Sequence, residues 1–227
     1  MSQIKLIIFD LDGTTADTLD GICEAVNRTM RELGYPLHTR QSVQGFVNYG
    51  VEQFCQEMLP PAVREDKTAV DRAMGIYLGH YNDTYTMTVP YEGVSELLER
   101  LSRRTLLAMN SNKQDEFVRT LADRLFRPGL FLAAEGFRTD RPGKPDPTMA
   151  LRIMAQAAAR LGEPVSPEQC VYVGDSDIDV RTARNAGMKL VSVSWGYRSY
   201  DFLRALGDQP IARTPGELEG ILLSLGV

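Results

Sequence analysis

"FDLDGTTADT", residues 9–18, follows directly on the mostly apolar run Ile4-Lys5-Leu6-Ile7-Ile8. A strand that ends in two carboxylates one residue apart, then turns through Gly13-Thr14, poses a physical problem. Buried carboxylates are costly unless they are paired or hold a cation. If the chain stays extended, Asp10 and Asp12 leave the same side, roughly 6–7 Å apart. Two carboxylates in one pocket suit divided labour, one ionised as nucleophile or metal ligand and the other carrying a proton. The alternative is an ordinary acidic turn, since Asp-Gly is a common turn dipeptide.

Outward from this stretch, short β-rich runs recur at Lys5–Phe9, Thr105–Met109, Phe131–Ala134, Val171–Val173 and Leu190–Val193. Several lack polar/apolar alternation, as strands covered on both faces do. Between them lie helical stripes: Val94, Leu97, Leu98 and Leu101; Phe117, Val118, Leu121 and Leu125; Ala150, Met154, Ala157, Ala158 and Leu161. Alternating strands and helices predict an α/β fold, a doubly wound parallel sheet of Rossmann-like form, with ligands at the carboxyl ends of its strands. From Thr18 to Tyr85 no strand is evident and three helical patterns follow one another, on Leu19–Leu33, Val43–Met58 and Val70–Tyr85. The expectation is a small all-helical cap domain, residues 17–86, inserted after the first strand into a core domain of residues 1–16 and 87–227. Its linkers are Thr15–Thr18 and Thr86–Gly93. Such an insertion can close over a small substrate and exclude water.

The composition narrows the function. With 227 residues, 43% of them hydrophobic, the chain can bury a substantial core. A net charge of −5 argues against nucleic acid as partner, and no apolar run is long enough to span a bilayer. The sequence moves from Met1 into a strand without a basic n-region and long apolar h-region, so a signal peptide is not expected. Cys23, Cys55 and Cys170 are widely spaced and form no CxxC, which fits a reducing cytoplasm. With His38 and His80 the sole histidines, a His/Cys zinc site is disfavoured.

Three later stretches carry further chemistry. "VYVGDSDIDV", residues 171–180, ends another apolar strand in Gly174, Asp175, Asp177 and Asp179. A calcium loop fails there, because Val180 stands at its glycine position and Ala186 at its distal glutamate. A Mg²⁺ site shared with the first carboxylates fits better, and Asp177 reads equally as a solvated loop residue. "LLAMNSNK", residues 106–113, offers Ser111 and Asn112 near a helix start, an anion site or simply an N-cap. "RPGKPDP", residues 141–147, holds Lys144 in a proline-restricted loop, where an ammonium can bind a phosphoryl group beside carboxylates.

In this order, these four stretches resemble the haloacid dehalogenase-like hydrolase superfamily: D-x-D-G-T, a Ser with Asn, a Lys in G-K-P, and G-D-x-x-x-D. The resemblance extends over nearly the whole chain, including "SWGYRS" at 194–199 and the helix start at Pro215–Leu218. Within the superfamily the chain is most similar to phosphoglycolate phosphatase-type members. The resemblance implies that Asp10 attacks phosphorus and forms an aspartyl-phosphate, and that Asp12 protonates the leaving alcohol and later activates water. It further implies Mg²⁺ held by the Asp10 carboxylate, the Asp12 backbone carbonyl and Asp175, with Asp179 supporting the metal's ligands or Lys144. Ser111, the Asn112 backbone and Lys144 would hold the phosphoryl oxygens. The expected partner is a small phosphorylated metabolite, not nucleic acid or membrane, for a monomer or homodimer.

Single positions separate subclasses. Asp12 disfavours the dehalogenases, and the absence of lysine between Lys5 and Lys67 disfavours the phosphonate hydrolases. "DTLDGICEAV" lacks the histidine usual in the mutases' first cap helix. The remaining alternatives are another phosphoryl-transfer relative (a sugar-phosphate mutase or pyrophosphatase) and a non-enzymatic receiver-like or regulatory module. The sequence departs from the family pattern at Thr15, where an apolar residue is usual, and in "VQGFVNYG", residues 43–50. There Gln44 and Asn48 stand where an arginine and a glycine are usual. The lost arginine removes a charge suited to a substrate carboxylate. Specificity for a small polar or neutral leaving group is therefore expected from Gln44, Asn48 and Tyr49.

Overall fold

A computed structural model describes residues 3–227; Met1 and Ser2, counted in the expected core domain, lie outside the described residues. The chain begins with β1 (Leu6–Phe9), followed by β2 (Ala16–Asp17) and the helices α1 (Leu19–Leu33), α2 (Arg40–Phe46), α3 (Val51–Met58) and α4 (Lys67–Thr84). It continues through β3 (Val89–Pro90), α5 (Val94–Leu101), β4 (Leu106–Gln114), α6 (Asp115–Leu125), β5 (Ala134–Phe137) and α7 (Thr148–Leu161). The last third comprises β6 (Cys170–Gly174), α8 (Asp177–Ala186), β7 (Lys189–Val193), α9 (Tyr200–Ala205), β8 (Ile211–Ala212) and α10 (Pro215–Ser224). Among the described residues no helix is long and apolar enough to cross a membrane.

Six strands form one parallel sheet in the order β5-β4-β1-β6-β7-β8. Strand period two divides β1 between two cores: Ile7 and Phe9 join α5, α6 and α10 on one face, and Leu6 and Ile8 join α7 and α8 on the other. Because both faces are covered, these strands read as continuous apolar runs. After β1 the chain builds outward through β4 and β5, then returns to build the other side through β6, β7 and β8. The carboxyl ends of β1, β4 and β6 thus meet at the switch point, where open α/β sheets bind ligands.

The helices α1–α4 bury their apolar faces in a core of their own, with Ile22, Met30, Val43, Phe54, Met58 and Tyr77 at its heart. Phe117 of α6 and Tyr197 also pack into it. The single helix expected over Val43–Met58 is two helices. Asn48 and Gly50 have φ of 92° and 88°, which ends α2 and restarts the chain as α3. Apolar spacing runs unbroken across that turn because Val47 is buried in the core that both helices share, so periodicity alone does not reveal it. The two expected linkers are also more ordered than read: Ala16 pairs with Pro90 and Asp17 with Val89 in an antiparallel ribbon. In α7 the buried stripe is Met149, Ala150, Ile153 and Ala157, whereas Leu161 is exposed. The strand expected over Phe131–Ala134 begins three residues later, at Ala134–Phe137, although Leu132 and Ala133 already bond to β4.

Close packing of α1 on α4 depends on Gly21. Thr84 Oγ1 donates to the Gly21 carbonyl at 2.8 Å, and a Cβ on Gly21 would come within 2.5 Å of the Thr84 carbonyl oxygen. Gly75 of α4 has no neighbour in that space. In urea unfolding Gly21→Ala should cost about 1–3 kcal/mol through overpacking, whereas Gly75→Ala should add about 0.5–1 kcal/mol by favouring the helix.

Candidate active site

β1 ends at Phe9 and delivers Asp10 to the switch point, where its N–H donates to the Val173 carbonyl of β6 at 2.9 Å. One carboxylate oxygen, Oδ1, accepts from Leu11 N–H at 2.8 Å and from Lys144 Nζ at 2.8 Å. The other, Oδ2, is buried with no protein partner. β6 delivers Asp175, whose Oδ2 accepts from Tyr197 N–H at 2.6 Å while Oδ1 is likewise buried and unpaired. Asp179 arrives on the first turn of α8, where its Oδ2 accepts from Ser176 N–H at 3.1 Å and Ser176 Oγ at 2.6 Å in a capping box. Its Oδ1 accepts from Lys144 Nζ at 2.7 Å. The sites are packed so tightly that a Cβ on Gly174 would overlap Asp179, and one on Gly13 or Gly196 would overlap Asp175. Gly13 is also needed for its φ of 80°.

Asp10, Asp175 and Asp179 bring carboxylate oxygens within 4.8 Å of one another, all buried, with the Lys144 ammonium in contact with Asp10 and Asp179. Burial, with the repulsion of Asp179 and Asp12, pushes the Asp10 carboxyl up to about 7 despite Lys144. Burial and the neighbouring Asp179 and Asp10 hold Asp175 well above the usual carboxylate range. Burial alone would lower Lys144, but Asp10 and Asp179 outweigh it and keep the ammonium charged. Ionised together, the three carboxylates would outnumber the one ammonium, which is why Asp10 and Asp175 are driven up without a cation. The two orphaned oxygens, on Asp10 and Asp175, are hard donors with nothing to bind, so this donor set fits Mg²⁺. The oxygens of Asp179 are already engaged by Lys144 and Ser176.

Asp12 stands apart from this cluster. The chain does not stay extended after Phe9: the Leu11 carbonyl accepts from the N–H groups of Thr14, Thr15 and Ala16, closing a turn. The Asp12 carboxylate therefore faces Thr18 Oγ1 and Lys113 Nζ, the latter at 3.0 Å, in place of the cluster. The Lys113 side chain is only 8% exposed, and its ammonium lies 4.6 Å above the Tyr81 ring. Burial would lower it, but Asp12 and Tyr81 hold it above the usual lysine range. Thr15 is fully buried and satisfied, its hydroxyl donating to the carbonyls of Asp10 and Leu11 at 3.1 and 3.3 Å. That explains a hydroxyl where an apolar residue was expected.

Ser111 and Asn112 lie inside β4, which runs on to Gln114 before α6 begins. Ser111 Oγ accepts from Lys113 N–H at 3.2 Å. The Asn112 side chain grips the backbone of Lys144 on both sides: Oδ1 accepts from Lys144 N–H at 2.7 Å and Nδ2 donates to the Lys144 carbonyl at 2.9 Å. The same Nδ2 donates to the Asn48 carbonyl at 3.0 Å. Glu135, buried in β5, holds the loop's other flank through Arg141 at 3.1 Å.

The three residues expected to govern specificity separate. Asn48 lines a cavity between the helical insertion and the sheet, next to Asp12, Ser111, Asn112 and Lys113. Gln44 is outside that lining and donates to the Tyr197 carbonyl at 2.6 Å. Tyr49 is also outside it, its hydroxyl 3.4 Å from Asp177 Oδ1. Sequence reasoning passed over Lys113, Thr18 and Tyr197. Each ends or sits within a stretch already singled out, but nothing local shows that Lys113 points at Asp12, or that the Tyr197 hydroxyl meets Thr18 at 2.9 Å.

Comparison with known proteins follows the same pattern. A family profile described as haloacid dehalogenase-like hydrolase matches residues 7–193. A phosphoglycolate phosphatase of Aquifex aeolicus is 33% identical over 196 residues, covering 86% of each chain. That of Pseudomonas syringae pv. syringae (strain B728a) is 35% identical over 199 residues, 85% of this chain and 70% of the relative. A crystal structure from Lactobacillus delbrueckii subsp. bulgaricus, provisionally described as a phosphoglycolate phosphatase, superposes with a TM-score of 0.86 at 31% identity. It is covered over 99% of its length by 97% of this chain.

The carboxylate cluster makes a direct prediction. A carboxyl pushed up by burial and like charge costs the fold stability when ionised. Adding Mg²⁺ to metal-free protein near neutral pH should therefore raise its melting temperature. Asp175→Asn should melt higher than the metal-free wild type and gain little from Mg²⁺; a Mg²⁺ shift equal to wild type's would contradict the assignment.

Proposed function

The chain belongs to the haloacid dehalogenase-like hydrolase family and is a phosphatase, and we propose that it hydrolyses a small phosphate monoester through an aspartyl-phosphate on Asp10, with Mg²⁺. The observation that carries this reading is the Asp10 carboxylate itself: one oxygen is pinned by Lys144, the other is buried and unpaired, and the group clusters with Asp175. The orphaned oxygens support Mg²⁺ held by Asp10, Asp175 and the backbone carbonyl of Asp12, and the bound ion offsets charge on the transferring phosphoryl group.

In this reading Lys144, Ser111 Oγ and the Asn112 N–H hold the phosphoryl oxygens, and Asp179 keeps Lys144 in place. Asp10 attacks phosphorus in line, and the bond to the leaving oxygen breaks as Asp12 gives that oxygen a proton. Asp12 then takes a proton from the water that attacks phosphorus, which releases inorganic phosphate and restores Asp10. Thr18 and Lys113 hold the Asp12 carboxylate in one orientation, and in this reading that carboxylate meets the leaving oxygen. Residues 17–86 act as a cap domain on a core of residues 1–16 and 87–227, shielding the transfer from water. The relatives' names support a phosphoglycolate-like substrate. The free Cys23, Cys55 and Cys170 support a reducing cytoplasm as its location.

Phosphate release from a panel of phosphate monoesters tests the reading. Activity should require Mg²⁺ and fall roughly 10³-fold or more in Asp10→Asn. Asp12→Ala should lower kcat roughly 10²–10⁴-fold, the range of a lost general acid–base. Turnover that persists in Asp10→Asn would remove the nucleophile assignment.

A further inference from the structure

The "SWGYRS" loop, residues 194–199, lies against "DGTTADT", residues 12–18, almost residue for residue. Trp195 Nε1 donates to the Thr14 carbonyl at 3.0 Å. Gly196 packs on the Gly13 carbonyl so closely that a Cβ there would overlap it. Tyr197 then meets Thr18 twice, its hydroxyl lying 2.9 Å from Oγ1 and accepting from Thr18 N–H at 3.1 Å. The rest of Tyr197 is fixed as well. Its N–H donates to Asp175 Oδ2 at 2.6 Å, its carbonyl accepts from Gln44 at 2.6 Å, and its ring packs into the core of the insertion.

Proton count sets the direction of these bonds. Thr18 Oγ1 carries one proton, and that proton goes to Asp12 Oδ1. The bond to Tyr197 therefore uses a lone pair of Oγ1, and the Tyr197 hydroxyl is its donor. Lys113 Nζ faces the same oxygen of Asp12, at 3.0 Å. With two donors turned towards it, Oδ1 has no place for a proton of its own. Oδ2 takes no hydrogen bond from the described residues, and Asp12 lines the cavity between the insertion and the sheet.

Resting on the phosphatase reading above, we infer that Tyr197 is a positioning residue for proton transfer: its hydroxyl, acting through Thr18, holds Oδ1 of Asp12 and so makes Oδ2 the oxygen that gives and takes the proton. In the first step the Oδ2–H proton passes to the leaving oxygen as that oxygen's bond to phosphorus breaks and the bond from Asp10 forms. In the second step Oδ2 takes a proton from the water whose oxygen bonds to phosphorus, and the bond to Asp10 breaks. Each hydrogen bond in such a chain polarises the next, so the Tyr197 hydroxyl acts on a carboxylate it does not touch. A merely structural tyrosine would lower all turnover alike. A residue that aims the acid matters most where the leaving group is basic and needs the proton in order to depart.

The test sets kcat/KM for phosphoglycolate and phenyl phosphate, whose leaving groups are basic, against that for p-nitrophenyl phosphate, whose leaving group departs without a proton. Tyr197→Phe removes the hydroxyl alone and keeps the backbone bonds to Asp175 and Gln44. It should lower the ratio of either basic ester to p-nitrophenyl phosphate roughly 10–100-fold, part of what a well-placed acid supplies. The rise in melting temperature on adding Mg²⁺ should stay as in wild type. All esters are read on one preparation, so any loss of folded protein cancels from the ratio. Thr18→Val cuts the same chain one link nearer Asp12 and should lower the ratio at least as far; adding Tyr197→Phe to it should change the ratio no further. The inference is overturned, and the aspartyl-phosphate reading stands, on any of four results. These are an unchanged ratio in either single variant, a further fall in the double variant, a diminished Mg²⁺ shift in Tyr197→Phe, or wild-type cleavage of p-nitrophenyl phosphate alone. If wild type with Mg²⁺ cleaves none of the three esters, both fail.

Discussion

The Lys144 ammonium, 2.8 Å from Asp10 and 2.7 Å from Asp179 with its side chain 1% exposed, is the interaction on which the site depends. A buried ion pair is weak evidence for stability, because desolvation offsets much of its Coulomb energy. Its consequence here is positional. The ammonium fixes one oxygen of Asp10 and leaves the other free. Asp179 can hold Lys144 because it is also the third residue of α8 and accepts from Ser176 in the capping box. The helix cap and the lysine clamp are therefore one structure, and α8 starts where the site needs it.

The second constraint is the seam between the helical insertion and the sheet. Polar bonds cross it at several points: Thr18 to Tyr197, Gln44 to Tyr197, Asn48 to Asn112, and Arg198 to the Gln44 carbonyl at 3.2 Å. Tyr197 bonds to Thr18 through its hydroxyl and to Asp175 through its backbone N–H. The carboxylate that completes the cluster is thus linked, residue by residue, to the insertion over the cavity. Asn112 makes the same kind of link on the other side, between Lys144 and Asn48.

Much of this was legible in the sequence where the physics is local. Apolar runs in β1 and β6 that end in aspartate announce strands covered on both faces, with acidity collected at one end. Helical spacing located α1 and α4 closely. What stayed hidden was decided across the chain. Asp12 turns away from Asp10 because the Leu11 carbonyl closes a turn, which strand alternation does not foresee. Val43–Met58 reads as one helix because the turn at Asn48 keeps apolar spacing on both sides. Lys113 looks like a surface lysine until Asp12, more than a hundred positions earlier, is found against it. Gln44 stands out in the sequence for the charge it lacks, whereas its amide is occupied by a carbonyl of the 194–199 loop.

The central claim is that Asp10, held by Lys144 and left with one free oxygen, becomes covalently phosphorylated during turnover. Acid quenching of the enzyme during steady-state hydrolysis, followed by peptide mapping by mass spectrometry, tests it most directly. The account predicts the mass of one phosphoryl group on the peptide containing Asp10, labile to hydroxylamine and absent from Asp10→Asn. Active turnover with no phosphorylated peptide, or with the phosphoryl group on another residue, would contradict it.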